Sequence, residues 1–164
     1  MIRCVRVDHR LLHGQVVFTW MRSVNADCIL IANDDVVNND MRKTMLKLTN
    51  PAGTKLVFKS IDDSIEAINS GVTDKYNLFI LLESIPDAER LTRGCPQIQS
   101  VNLGGTKPKE NAVTMERVIF CGPEDMECLK VMLSRGVTLE CRQVPTDPTV
   151  VLTAKILAEK GEKR

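Results

Sequence analysis

Short apolar runs rich in β-branched residues alternate with segments of helical period along the whole chain, and this alternation restricts the fold more than any other feature. The runs occupy residues 4–7, 28–32, 55–59, 78–82, 101–103, 118–121 and 138–144. Between them, residues 15–24 place Val16, Val17, Trp20 and Val24 on one helical face, and residues 40–48 do the same with Met41, Met45 and Leu48. Segments 64–69, 86–93 and 123–133 continue the pattern, the last two opening on a proline in the first turn, where a missing N–H is harmless. Strands and helices in this order build right-handed crossovers. The expected fold is therefore α/β: an open, mainly parallel, doubly wound sheet of about seven strands flanked by helices on both faces. Residues 104–112 read as the least regular stretch, a loop near the sheet's carboxyl edge. From Thr146 onward the chain is expected to end in a helix whose last residues, 159–164, are charged and frayed.

At 164 residues the chain is expected to form one domain, 1–164, with a core large enough to need no disulfide or metal. Lys and Arg number 22 against 21 for Asp and Glu, so no overall field attracts nucleic acid or an anionic membrane, and charge-based recognition has to be local. The six cysteines, at 4, 28, 95, 121, 128 and 141, sit mostly in apolar runs without a CxxC pair, and read as buried free thiols. Met1 leads straight into Ile2-Arg3-Cys4-Val5-Arg6-Val7, with no export signal, so a reducing, cytoplasmic compartment is expected. No apolar run approaches the roughly 20 residues that cross a bilayer. Work at a membrane is then expected through a partner.

In doubly wound sheets ligands bind beyond the carboxyl ends of the strands. The loop after the first strand, Asp8-His9-Arg10-Leu11-Leu12-His13-Gly14-Gln15, carries both histidines of the chain. His13 falls next to a helix N-terminus, where free N–H groups and the helix dipole favour a phosphoryl group. Arg10 adds a planar, permanently charged donor for phosphate oxygens, and Gly14 removes a Cβ from the approach. A neutral imidazole is nucleophilic near physiological pH when its other nitrogen is oriented, here by Asp8 or a backbone carbonyl. Bland readings stand beside this one: His13 as a satisfied turn residue, Asp8 as a turn cap, Arg10 as a solvated charge. His9 and His13 also have the i, i+4 spacing of a metal pair with Asp8 as a third ligand, but Gly14 starts the helix after His13 and Arg10 repels a cation, so no metal is expected.

The stretch Val5-Arg6-Val7-Asp8-His9-Arg10-Leu11-Leu12-His13-Gly14-Gln15-Val16 closely resembles the N-terminus of enzyme IIB of the mannose/fructose/sorbose family of the bacterial sugar phosphotransferase system. Trp20, Ala26-Asp27, Ile31-Ala32-Asn33-Asp34, Ser100-Val101-Asn102-Leu103-Gly104-Gly105 and Arg142-Gln143-Val144-Pro145-Thr146-Asp147 are similar to that family in order and spacing. The resemblance implies that His13 is the phosphohistidine of a phosphotransferase, supported by Asp8, Arg10, Gly14 and Gln15, while His9 inherits no role. It implies a donor histidine on a IIA protein, expected as a separate chain because Met1 lies so close to the motif. It also implies passage of the phosphoryl group to a sugar imported by the membrane components IIC and IID, and a peripheral association with them.

No cofactor is expected, since no GxGxxG follows the first strand and no GxxxxGK[ST] occurs. Two rivals remain from other classes, a nucleotide-dependent enzyme and a non-catalytic binding module on the same fold. One Trp and one Tyr are too few for a sugar-stacking platform, so sugar choice is expected to reside elsewhere. The other strand-end loops suggest weaker roles. Asn33-Asp34-Asp35 reads as a cap of the second helix or as a segment facing the active loop, Gly104-Gly105-Thr106 as a phosphate cradle or a plain turn, and Gln143 to Thr146 as part of the site's rim or only a turn of the chain.

Overall fold

A computed structural model of the chain describes residues 1–162, apart from the side chains of Gln15 and Val16. The expectations for those two side chains, and for fraying at 163 and 164, fall outside the described residues. The elements follow in the order β1 (Ile2–Asp8), α1 (Gly14–Val24), β2 (Cys28–Ala32), a 3-10 turn (Val36–Asn38), α2 (Asp40–Leu48), β3 (Lys55–Lys59), α3 (Ile61–Ser70), β4 (Leu78–Leu82) and α4 (Ile85–Gly94). They continue with β5 (Ser100–Gly105), β6 (Val113–Glu116), β7 (Ile119–Cys121), α5 (Pro123–Ser134), β8 (Thr138–Cys141), β9 (Val150–Val151) and α6 (Ala154–Glu162).

Seven strands form one sheet in the order β3-β2-β4-β1-β5-β8-β9. Every pair is parallel except β8–β9. The central strands Cys-Ile-Leu-Ile-Ala and Leu-Phe-Ile-Leu-Leu are buried at every position, because helices cover both faces of a parallel sheet. Period-2 alternation then divides them between two cores. Leu30, Ile80 and Leu82 pack with Ile61 of α3, Leu91 of α4 and Leu129 of α5, while Ile29, Ile31, Phe79 and Leu81 pack with Val17, Trp20 and Met21 of α1 and with Leu46 of α2. Thus α1 and α2 lie on one face and α3, α4 and α5 on the other. At the carboxyl end of β1 the chain leaves toward α1, whereas after its neighbour β4 it leaves toward the opposite face. The crevice this opens above β1 is where a doubly wound fold places its ligand.

Helix starts follow local chemistry. The side chains of Asn39, Ser60 and Ser84 accept hydrogen bonds from the N–H groups of Arg42, Asp63 and Asp87 at the heads of α2, α3 and α4.

The architecture matches the expected class, with four differences of detail. The seventh sheet strand is β9, not residues 118–121, which pair with β6 in a separate antiparallel ribbon. That ribbon is anchored by Thr106, whose Oγ1 accepts from the Phe120 N–H and donates to the Phe120 carbonyl. Residues 142–144 leave the sheet as soon as Arg142 and Gln143 turn their carbonyls to Arg6. The chain does not run directly into a C-terminal helix, because β9 first pairs Val151 with Glu140. Finally, the stripe Met41, Met45 and Leu48 faces solvent, and α2 is attached to the core through Leu46 instead.

Candidate active site

Alternation along β1 sends Val5 and Val7 into one core and turns Arg6 and Asp8 toward α1. Asp8 has no exposed surface. Its Oδ2 accepts from Nε2 of His13 at 2.8 Å and from Nη2 of Arg6 at 3.2 Å, and its Oδ1 accepts from the Arg10 N–H at 3.1 Å, with Arg10 Nε at 3.7 Å. Burial pushes the Asp8 carboxyl up, but the bond and charge of His13, the Arg10 N–H and Arg6 together outweigh it and hold it below the usual carboxylate range. An ionised carboxylate only accepts, so His13 Nε2 must carry the proton. In the neutral form of the ring the other nitrogen, Nδ1, then has the free lone pair.

His13 is the N-cap of α1, in extended conformation (φ −147°), with a side chain 19% exposed. The N–H groups of the first helical turn have no partner within the helix, so partial positive charge collects beside the imidazole. Gly14 also answers a backbone need. A Cβ there would meet nothing within 4 Å, but φ is +43°, which an L side chain resists. Leu11 also has positive φ, 57°, at a cost on the order of 1 kcal/mol. It is held there by burial of Leu11 and Leu12 in the core beneath α1 and by the Leu11 N–H to Asp8 carbonyl bond of 2.8 Å. The loop is a fixed platform with His13 at its end.

Of the sequence-predicted residues, Asp8 and His13 are in direct contact, and Arg10 stands beside them with its side chain 51% exposed at the mouth of the loop. His9 does not join them. Its N–H donates to the Gly105 carbonyl, and its ring lines a separate cavity of about 300 Å³ with Ser84, Thr106, Lys107 and Lys109. The two histidines sit on a turn and a helix cap, so the i, i+4 spacing does not place them on one helix face. Among the described residues no three His, Cys, Asp or Glu side chains gather into a group able to hold a metal. The cysteines are free thiols, four of them buried, and burial pushes Cys4, Cys121 and Cys141 up to about 12, so none is poised as a thiolate nucleophile.

The weaker loop candidates have structural partners. Asn33 Oδ1 accepts from the N–H groups of Asp35 and Val36, capping the 3-10 turn and not α2. Asp34 receives Arg90 and the Ile61 N–H. Gly104 is spoken for by Arg6, since a Cβ there would lie 2.0 Å from the guanidinium carbon.

Arg6 is the residue the sequence reading missed. It is 2% exposed and donates to Asn102 Oδ1 (2.6 Å), to the carbonyls of Arg142 (3.0 Å) and Gln143 (2.9 Å), and to Asp8. Its guanidinium lies 5.1 Å from the ring centroid of Trp20, whose Nε1 also donates to the Gln143 carbonyl. Burial draws its pKa down and Asp8 opposes this, while the guanidinium keeps its charge. The signal was present: a cation two residues before Asp8 on the same face of a central strand has to be paired.

A chain of hydrogen bonds thus runs from a buried cation through a carboxylate to a histidine at a helix N-terminus. The family model described as the sorbose subfamily IIB component of the PTS matches residues 2–164. The chain belongs to this family. As a IIB component it is a phosphotransferase, a phosphoryl-relay subunit of a sugar PTS permease that works with IIA and IIC partners. It is 30% identical over 155 residues to the sorbose-specific EIIB component of Klebsiella pneumoniae, covering 94% of each chain. It is 31% identical over 147 residues to the mannose-specific EIIAB component of Escherichia coli, covering 90% of this chain and 46% of that protein. The crystal structure of the IIBSor domain of the Klebsiella pneumoniae sorbose permease superposes with a TM-score of 0.89 at 29% identity, over 100% of this IIB component and 98% of that chain. Among the described residues no helix is long and apolar enough to cross a membrane.

Proposed function

We propose that His13 is the residue on which this IIB component carries its phosphoryl group, and that Nδ1 is the atom. The observation that carries this reading is the 2.8 Å bond from His13 Nε2 to a buried carboxylate that also accepts from Arg6 and the Arg10 N–H. Nδ1 attacks the phosphorus of a phosphohistidine on IIA; an N–P bond forms here as the donor's N–P bond breaks. The Nε2 proton stays on Asp8's hydrogen bond throughout. The positive charge created on the ring as Nδ1 attacks is spread toward Asp8, and the transferring oxygens meet the α1 N-terminus, with Gly14 setting its geometry. Arg10, half exposed beside Asp8, is placed to reach those oxygens, and the backbone at Gln15 adds a first-turn N–H. In the second step a hydroxyl of the imported sugar attacks the same phosphorus while giving its proton to a base of the membrane component, the N–P bond breaks, and His13 leaves as a neutral imidazole.

In this reading residues 1–164 act as one IIB unit on the cytoplasmic side, attached peripherally to membrane components IIC and IID. The identity of the sugar is set by those components. Incubation with phosphorylated IIA and intact-mass measurement at alkaline pH should show one added phosphoryl group, absent in His13→Ala and retained in His9→Ala. Phosphorus NMR of the product should report the Nδ1 isomer. A full mass gain in His13→Ala, or the Nε2 isomer in the wild type, would overturn the assignment.

A further inference from the structure

Helix α2 is unusual in having no buried residue, alone among the described α-helices. Three of its four large apolar side chains point outward together. Met41, Met45 and Leu48, spaced i, i+4 and i+7, are 64–82% exposed. Such a stripe is costly to leave in water and contributes nothing to this fold. The helix is secured by other means, through the ion pairs of Arg42 with Asp35 and Glu83 and through Leu46 beneath it.

The stripe runs toward the active loop. Thr49, the residue after Leu48, donates from Oγ1 to the carbonyl of Leu12, the residue before His13. On the same face of the sheet, α1 exposes Phe18, one turn beyond Gly14. Four of the eight large apolar residues exposed among the described residues therefore lie on the two helices that adjoin His13. Exposed Arg10, Arg22 and Lys47 stand on the same loop and helices, with Asp40 the one exposed acid on the described parts of these two helices.

We propose that the exposed stripe Met41, Met45 and Leu48, together with exposed Phe18 of α1, is the seat of the phosphorylated IIA partner. The inference rests on the relay reading of His13. A phosphohistidine on another protein reaches Nδ1 in line only if that protein covers the surface around His13, and these apolar residues lie on the two helices that adjoin it, α2 being tied to the loop through Thr49 and Leu12. The rim of cations matches a partner that arrives bearing a dianionic phosphoryl group. Apolar anchors beside a charged rim are the usual division of labour in a transient interface.

The test compares two phosphoryl donors on the same protein. With purified phospho-IIA, the Met45→Ser/Leu48→Ser variant should show a KM raised about tenfold, the loss expected of truncated interface anchors, with kcat within about twofold. With phosphoramidate, a donor too small to touch the patch, the rate of His13 phosphorylation should be unchanged. That equality also shows that the variant is folded. Val131→Ser, on the exposed surface of α5, should alter neither. Lys47→Glu should raise KM for phospho-IIA at low salt and lose that effect at high salt. Several outcomes overturn the proposal: an unaltered KM for phospho-IIA; normal IIA transfer with impaired delivery to sugar in vesicles holding the membrane components, which gives the patch to them; or a wild-type dimer that the variant dissolves, which gives it to a second copy. If the wild type takes phosphate from neither donor, the relay reading of His13 fails and this inference falls with it.

Discussion

Helices α1 and α2 lie on the same face of the sheet and carry the same apolar periodicity, yet they use it in opposite directions. In α1 the stripe goes inward: Val17, Trp20 and Met21 are buried, and Trp20 also binds the Gln143 carbonyl beside Arg6. In α2 the stripe goes outward, and only Leu46 reaches the core. Period reports which residues share a face, and the rest of the fold decides which way that face points. The helix that shares the active site's foundation is built for stability. Its neighbour presents its apolar face to solvent.

Four measurements can break or sharpen that contrast, in descending order of effect. Trp20→Ala should cost about 3–5 kcal/mol in urea unfolding, because it empties a large buried site in the core under α1. Asp8→Asn should cost about 1–3 kcal/mol by removing a charged acceptor from buried donors, and the loss should depend on pH. The native Asp8 carboxyl is depressed, so its contribution is present above the ordinary carboxylate range near pH 4 and is lost as pH falls through the lower folded value. The unfolding midpoint of the wild type should therefore drop more steeply below pH 4 than that of Asp8→Asn. Gly104→Ala should cost about 1–3 kcal/mol by overpacking against Arg6, with slower phosphorylation by phosphoramidate as Asp8 loses its anchor. Met45→Ala on α2 should change stability by less than about 0.5 kcal/mol. A large loss there would show that α2 is structural after all and would dissolve the comparison.

Much of this organisation is legible in the chain because both period and site chemistry are local. Buried strands such as Cys28–Ala32 and Leu78–Leu82 announce themselves by unbroken apolar runs, and Asp8, Arg10 and His13 fall within six residues of one loop. What escapes is non-local. β9 has two residues, too few to carry a period, and exists because Glu140 and Cys141 offer a free edge to pair with. The ribbon of β6 and β7 is fixed by a threonine hydroxyl 14 positions from its partner. Arg6 was passed over because its meaning lies in Asn102, Gly104 and the carbonyls of Arg142 and Gln143, separated from it by 96 to 137 residues. Gly104 looked like part of an anion cradle for the same reason: glycine marks close approach but does not say by what.

The space under Gly104 has a consequence for heredity. Since the guanidinium of Arg6 fills the volume that any side chain at 104 would need, neither position can vary alone without harm: a new Cβ evicts the arginine, and a shorter residue at 6 strands Asp8 and leaves a void. The two codons, ninety-eight residues apart in the chain, are in effect one inherited unit. A lineage that changes this foundation has to change both halves, and until it does the orientation of His13 is locked by an absence, the hydrogen atom that glycine carries in place of a side chain.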